Sequence, residues 1–144
     1  MHRRDFFKHL AALGIVAGAG RLLVLPEELW AMAPKDAPQP IIAKVQGTDW
    51  AKITGDAVQA LGGMKKFVKS GDVVVVKPNM AWDRAPELGA NAHPAVVRQV
   101  VELCLDAGAK KVTVMDHTCH DARKAYINSG IKPAVEAIKD PRVS

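Results

Sequence analysis

The sequence predicts an α/β fold, an open and mostly parallel sheet with flanking helices built from βαβ units. Three observations carry that expectation. Val73, Val74, Val75 and Val76 form an apolar run without polar alternation, the pattern of a parallel strand buried on both faces. Residues 94–107 place Val97, Val100, Val101 and Cys104 at the i, i+3, i+4, i+7 spacing of a helix with one buried face. Residues 111–115 return to a strand pattern, so 73–115 is a strand, helix, strand unit, whose crossover is right-handed and whose strands run parallel.

The chain opens with Arg3 and Arg4, a variable residue, Phe6, Phe7 and Lys8. This arrangement resembles a twin-arginine export motif, with His2 where serine is usual and Phe7 where leucine is usual. An apolar stretch rich in Ala and Gly follows from Leu10 to Gly20 and is broken by Arg21. It is shorter than the ~20 residues a membrane-crossing helix needs, so no stable membrane anchor is expected. Ala31 and Ala33 put small residues where a signal peptidase reads them, which predicts a signal peptide over 1–33 cleaved after Ala33 and a Pro-rich linker over 34–40. The other reading of this segment is an amphipathic helix that stays on the protein. The export resemblance implies folding in the cytoplasm, the twin-arginine machinery as a partner and a periplasmic location.

Residues 41–144 are expected to be the N-terminal part of an α/β domain. A short strand is predicted over 41–45, and a helix over 49–61 with Ile53, Ala57, Val58 and Leu61 on one face, stopped by Gly62 and Gly63. A basic, amphipathic stretch over 64–69 leads through Ser70 and Gly71 into the valine strand. Pro94 suits a first helical position, and Gly108 stands where a left-handed residue closes a helix. Thr118 with Asp121 three residues on has the spacing of a capping box, opening a helix that stops at Gly130; another is predicted over 133–139. The chain then reaches residue 144 where the alternating pattern calls for the next strand, so it is expected to be a fragment of a longer protein.

Composition suits a soluble globular domain: 49% of residues are hydrophobic and 24% charged. The net charge is +5, and removing residues 1–33, which hold Arg3, Arg4, Lys8 and Arg21 against Asp5, Glu27 and Glu28, leaves +4. The remaining basic residues are scattered singly or in pairs, with no stripe of the kind that binds nucleic acid. Cys104 and Cys119 are separated by a strand spanning about 17 Å, beyond disulfide reach, and read as free thiols. Cys104, on the apolar helix face, reads as core.

Ligands of open parallel sheets gather at the carboxyl ends of the strands. Two segments here meet that condition: Lys77, Pro78, Asn79 and the loop through Trp82 to His93, and Asp116, His117, Thr118, Cys119, His120 and Asp121. His93, Asp116, His117, Cys119 and His120 make a candidate transition-metal set, because imidazole and thiolate suit zinc, iron, copper or nickel. Against this, a helix N-terminus favours anions and would lower the pKa of a thiolate at Cys119. The plain structural alternative is that Thr118 and Asp121 cap the helix while the histidines are exposed loop residues. Lys77 either binds an anionic ligand or neutralises Asp116; Asn79 either offers its amide to a ligand or makes turn contacts; Trp82 is either a stacking platform or a hydrophobic plug.

Val74 to Asn79, Ala92 to Val97 and Gly108 to Asp116, in that order and spacing, resemble the family called domain of unknown function 362 over residues 41–144. Ala92 departs from the threonine frequent before this histidine, and Asp116, His117 and Thr118 stand where a Gly-Asp-Ser type of turn is common. Members of that family are often exported by the twin-arginine route, and some carry ferredoxin-like iron–sulfur segments. This chain has no such cysteine run, so no cluster is carried over. The resemblance implies a fold and a location but no reaction. Two functions are thus expected: a metal-dependent or redox-linked site using His117, Cys119 and His93, with Lys77 and Asn79 orienting an anionic ligand; or a non-catalytic module holding a small anion at the same edge. A third outcome is a fragment inactive by itself.

Overall fold

The valine run does become a strand, but one that is buried on a single face. In the computed structural model, which describes residues 41–144, β1 (Val73–Val76) pairs in parallel with β2 (Lys111–Val114), in the register Val73↔Lys111 through Val76↔Val114. Val74 and Val76 turn inward, whereas Val73 and Val75 are 67% and 58% exposed. Helix α2 (Pro94–Asp106) covers one face of the sheet, and no described element covers the other. The most buried strand is β2, with Val112 fully enclosed.

Before β1 lies α1 (Trp50–Ala60). The Asp49 carboxylate accepts the Lys52 N–H at 3.0 Å, satisfying one of the free donors of its first turn. The strand expected over 41–45 does not form: these residues are irregular, and Ile41 and Ile42 are 72% and 88% exposed. β-type composition is not enough where no neighbouring strand takes the backbone hydrogen bonds. The stretch after α1 makes a 3-10 turn at Met64–Lys66, anchored by Val68 and Met64 against the core.

At the end of α2, Gly108 has φ +100 and receives the Gly71 N–H on its carbonyl at 2.9 Å. A Cβ there would stand 3.2 Å from the Ser70 Cα. The glycine lets the α2–β2 connection lie directly on the turn that starts β1.

After β2 come α3 (Ala122–Asn128) and α4 (Ile131–Glu136). The cap of α3 is Asp121, whose carboxylate accepts the Lys124 N–H at 3.2 Å. The expected cap, Thr118, instead donates its hydroxyl to the His120 carbonyl at 2.7 Å, so the capping-box spacing belongs to a turn outside the helix. α4 begins earlier than the predicted 133–139 because Gly130, at φ 74, turns the chain straight into it.

Where the alternating pattern calls for the next strand, the last residues make one isolated parallel bridge. Val112 N–H donates to the Arg142 carbonyl at 2.8 Å, Ser144 N–H to the Val112 carbonyl at 3.0 Å, and Val114 N–H to the Ser144 carbonyl at 2.8 Å. This is a parallel bridge between Val112 and Val143 on the side of β2 away from β1. The core therefore forms around β2 and α2 in two groups. Val101, Cys104, Leu105 and Val112 join Val68 in one; Val97, Met80, Ile131 and Val135 form the other, under α4. The α/β class with a parallel open sheet stands as expected. The signal residues Arg3, Arg4, Phe6, Phe7 and Lys8, the cleavage positions Ala31 and Ala33, and the linker lie outside the described residues.

Candidate functional site

Parallel pairing of β1 and β2 brings the loops that follow them to one rim, and a single carboxylate ties those loops together. Asp116, just past β2, has a side chain only 3% exposed. Its Oδ1 meets Lys77 Nζ from the end of β1 at 2.6 Å and accepts the His117 N–H at 2.9 Å, while its Oδ2 accepts the Met80 N–H at 3.0 Å. The Lys77 hydrogen bond, then the Met80 N–H, hold this carboxyl below the ordinary carboxylate range despite its burial. Tyr126 on α3 completes the clamp: its hydroxyl donates to the Asp116 carbonyl at 2.9 Å and accepts the Asp116 N–H at 3.0 Å.

The loop after β1 is held by its own amides. Asn79 donates its side-chain amide to the Ala90 carbonyl at 3.1 Å, while its backbone carbonyl accepts the Ala92 N–H at 2.7 Å. Asn91 accepts the Trp82 N–H at 3.1 Å and donates to the Trp82 and Arg84 carbonyls at 2.9 and 3.2 Å. These bonds close the loop on itself, and four contacts then join it to the second loop. The Ala81 carbonyl accepts the Cys119 and His120 N–H groups at 3.0 and 3.1 Å; His120 Nδ1 accepts the Asp83 N–H at 3.1 Å; and the Trp82 ring meets the His120 ring edge-on at 5.2 Å. The Asp83 carboxylate also accepts the Asn128 amide at 2.6 Å.

Of the residues picked out from sequence, the fold therefore brings together Lys77, Trp82, Asp116 and His120, with Asn79 as a staple rather than a free amide. His93 lies apart. It caps α2 through Nδ1, which accepts the Ala95 N–H at 3.3 Å, and stacks on Trp50 with ring centroids 4.9 Å apart. His117 and Cys119 are exposed on the second loop. Among the described residues no group of three or more His, Cys, Asp or Glu is arranged to hold a metal ion. Cys104 is buried, and burial raises its thiol pKa. It is core, as its helix face predicts.

Two participants carried no role in the sequence reading. Tyr126 counted only as a helix residue, although it is the single tyrosine of the chain. Asn91 counted only as loop. Their signal is weak because each acts on backbone groups that only the tertiary structure places nearby.

What remains open to solvent at this rim is chemically specific. Lys77 keeps 69% of its side chain exposed while its ammonium rests on Asp116. Trp82, in the loop that follows, is 40% exposed. The rim thus offers the Lys77–Asp116 ion pair, an aromatic surface and the exposed His117 and Cys119 side chains, for which no hydrogen-bond partner occurs among the described residues.

Residues 74–143 match the family model described as Domain of unknown function (DUF362). Over 86 residues, 60% of this chain, the sequence is 35% identical to the thylakoid-associated protein sll1697 of Synechocystis sp., and the match covers 27% of that protein. The chain accordingly spans well under half the length of this relative. No solved structure matches.

Proposed function

We propose that residues 41–144 form a ligand-binding portion of a longer exported protein, and that the rim after β1 and β2 holds a small anion without catalysing its conversion. The observation that carries this reading is the Lys77–Asp116 pair. A buried carboxylate orients a lysine whose side chain remains mostly in solvent, so the charge is positioned before any ligand arrives, which reduces the ordering cost of binding. Trp82 supplies an apolar wall, and Asn79 keeps the loop closed so that Trp82 stays there. The resemblance of residues 3–8 to a twin-arginine motif supports delivery to the periplasm, where such a module would meet its ligand after folding in the cytoplasm. The match to a domain of unknown function assigns no reaction and is consistent with a binding role.

Calorimetric titration of the full chain with inorganic phosphate and with citrate tests this. Lys77→Met, checked for folding by circular dichroism, is expected to weaken binding about tenfold, the value of one charge-assisted hydrogen bond. Equal affinity for wild type and Lys77→Met would remove the proposal.

A metal-linked reading has one specific observation behind it, the exposed His117 imidazole and Cys119 thiol on the same loop. Zinc titration separates the two. Stoichiometric zinc that is lost in Cys119→Ser, with phosphate binding absent, would favour the metal.

A further inference from the structure

The opposite ends of the strands carry a feature the rim does not use. Met64 and Val68 face the core, so the turn between them presents Lys65, Lys66 and Phe67 outward, with Lys69 following; all four are exposed, Phe67 by 56%. The α2–β2 connection adds Lys110 and Lys111, also exposed. It lies against the same turn: the Gly108 carbonyl accepts the Gly71 N–H at 2.9 Å, and Lys110 N–H donates to the Asp72 carbonyl at 2.8 Å.

None of these five lysines has a carboxylate within salt-bridge distance among the described residues, although other lysines of the same domain do. Lys66 and Lys69 direct their ammonium groups onto backbone carbonyls of Leu61, Lys65 and Lys66, which fixes the charges in place without neutralising them. The acids nearest in the chain are Asp72 and Asp106. Lys66 Nζ lies 5.9 Å from the Phe67 ring centroid, Lys65 and Lys69 are exposed on the same stretch, and Lys110 and Lys111 are exposed on the connection bonded to it.

We propose that this amino-terminal rim docks on an anionic lipid bilayer, with the lysines on the headgroups and Phe67 in the interface. The charge selects an anionic surface. The exposed phenylalanine beside Lys66 selects a bilayer over a purely polar polyanion, because a ring next to cations gains by entering the headgroup and acyl boundary. Docking at this end leaves the Lys77 rim, at the other end of both strands, facing solvent. Among the described residues no helix is long and apolar enough to cross a membrane, and the proposed contact is made by this surface.

The test is flotation of the full chain with vesicles of phosphatidylcholine alone or mixed with phosphatidylglycerol, together with hydrogen exchange of the bound protein. Exchange reads residues 64–72 and 108–111 directly, so binding through residues 1–40 is not mistaken for the patch. Anionic vesicles are expected to slow exchange in both segments, an effect lost at high salt. The triple variant Lys65→Gln, Lys66→Gln, Lys69→Gln is expected to need about a hundredfold more lipid for the same protection. Phe67→Ser should weaken binding severalfold while leaving its salt dependence intact, and Lys132→Gln, on α4, should change neither. The proposal is overturned by equal protection on neutral vesicles, by unchanged protection in the triple variant, by no protection at all, or by an RNA oligonucleotide that protects these segments at lower concentration than the vesicles do.

Discussion

Asp116 is the rim side chain that ties both loops together through a buried charge, and its removal is the sharpest test at the residue scale. Asp116→Ala leaves the Met80 and His117 N–H groups without their acceptor and frees Lys77, which is largely solvated already. The expected loss is about 2–3 kcal/mol in urea unfolding at neutral pH, from hydrogen bonds to a charged group rather than from an abandoned buried cation. The pH dependence follows from the direction of the shift. Lys77 and the Met80 N–H depress the folded-state pKa of this carboxyl, so its contribution is whole above the unfolded value of about 3.9 and disappears as pH falls through the lower folded value. The stability difference between wild type and Asp116→Ala should stay constant from about pH 8 to 5 and shrink below about pH 4. A difference that instead shrank on raising the pH would contradict the assignment.

Among the elements, the connections are more demanding than the strands they join. Gly108 combines φ +100 with a Cβ position 3.2 Å from the Ser70 backbone, whereas Gly89 has φ +62 and nothing within 4 Å. Gly108→Ala should cost about 2–3 kcal/mol and Gly89→Ala about 1 kcal/mol, because only the first adds a backbone clash to the left-handed strain; chemical denaturation of the two variants reads the difference. The strands divide in the same way. Val112→Ala empties a fully enclosed site and should cost about 2 kcal/mol, while Val75→Thr, on the uncovered face, should stay within about 0.5 kcal/mol. This contrast marks where the valine run misleads. Four valines specify a strand, since β-branched side chains suit a pleated surface, yet whether both faces are covered depends on what packs there, and α2 and α4 pack on the same one. The run at 41–45 has similar composition and forms no strand for want of a partner. Helices α1 and α2 were legible in place and extent because periodicity, caps and stops agree there.

At the scale of the whole molecule, the two ends of the sheet differ in character: loops bound to one another around Asp116 at one, and at the other Phe67 with lysines that have no carboxylate partner among the described residues. The lysines read along the chain as two unremarkable pairs and a single residue, Lys65 with Lys66, Lys110 with Lys111, and Lys69. Their convergence comes from the contact of Gly108 with the Ser70 turn. The proposed metal set shows the reverse. Its members are close in sequence or on neighbouring loops, but His93 stacks on Trp50, His120 accepts the Asp83 N–H and Asp116 pairs with Lys77, and these contacts are not legible in the spacing. What the residues alone determined is local: a helix where apolar positions recur on one face, strands where branched residues run together, parallel order from the crossover, and hence a rim shared by two loops. What only the tertiary structure decided is which groups meet there, which face of the sheet stays open and where charge accumulates. Periodicity encodes how a segment buries its own side chains, whereas pairing between distant loops depends on the relative placement of whole elements, which no short stretch of sequence contains.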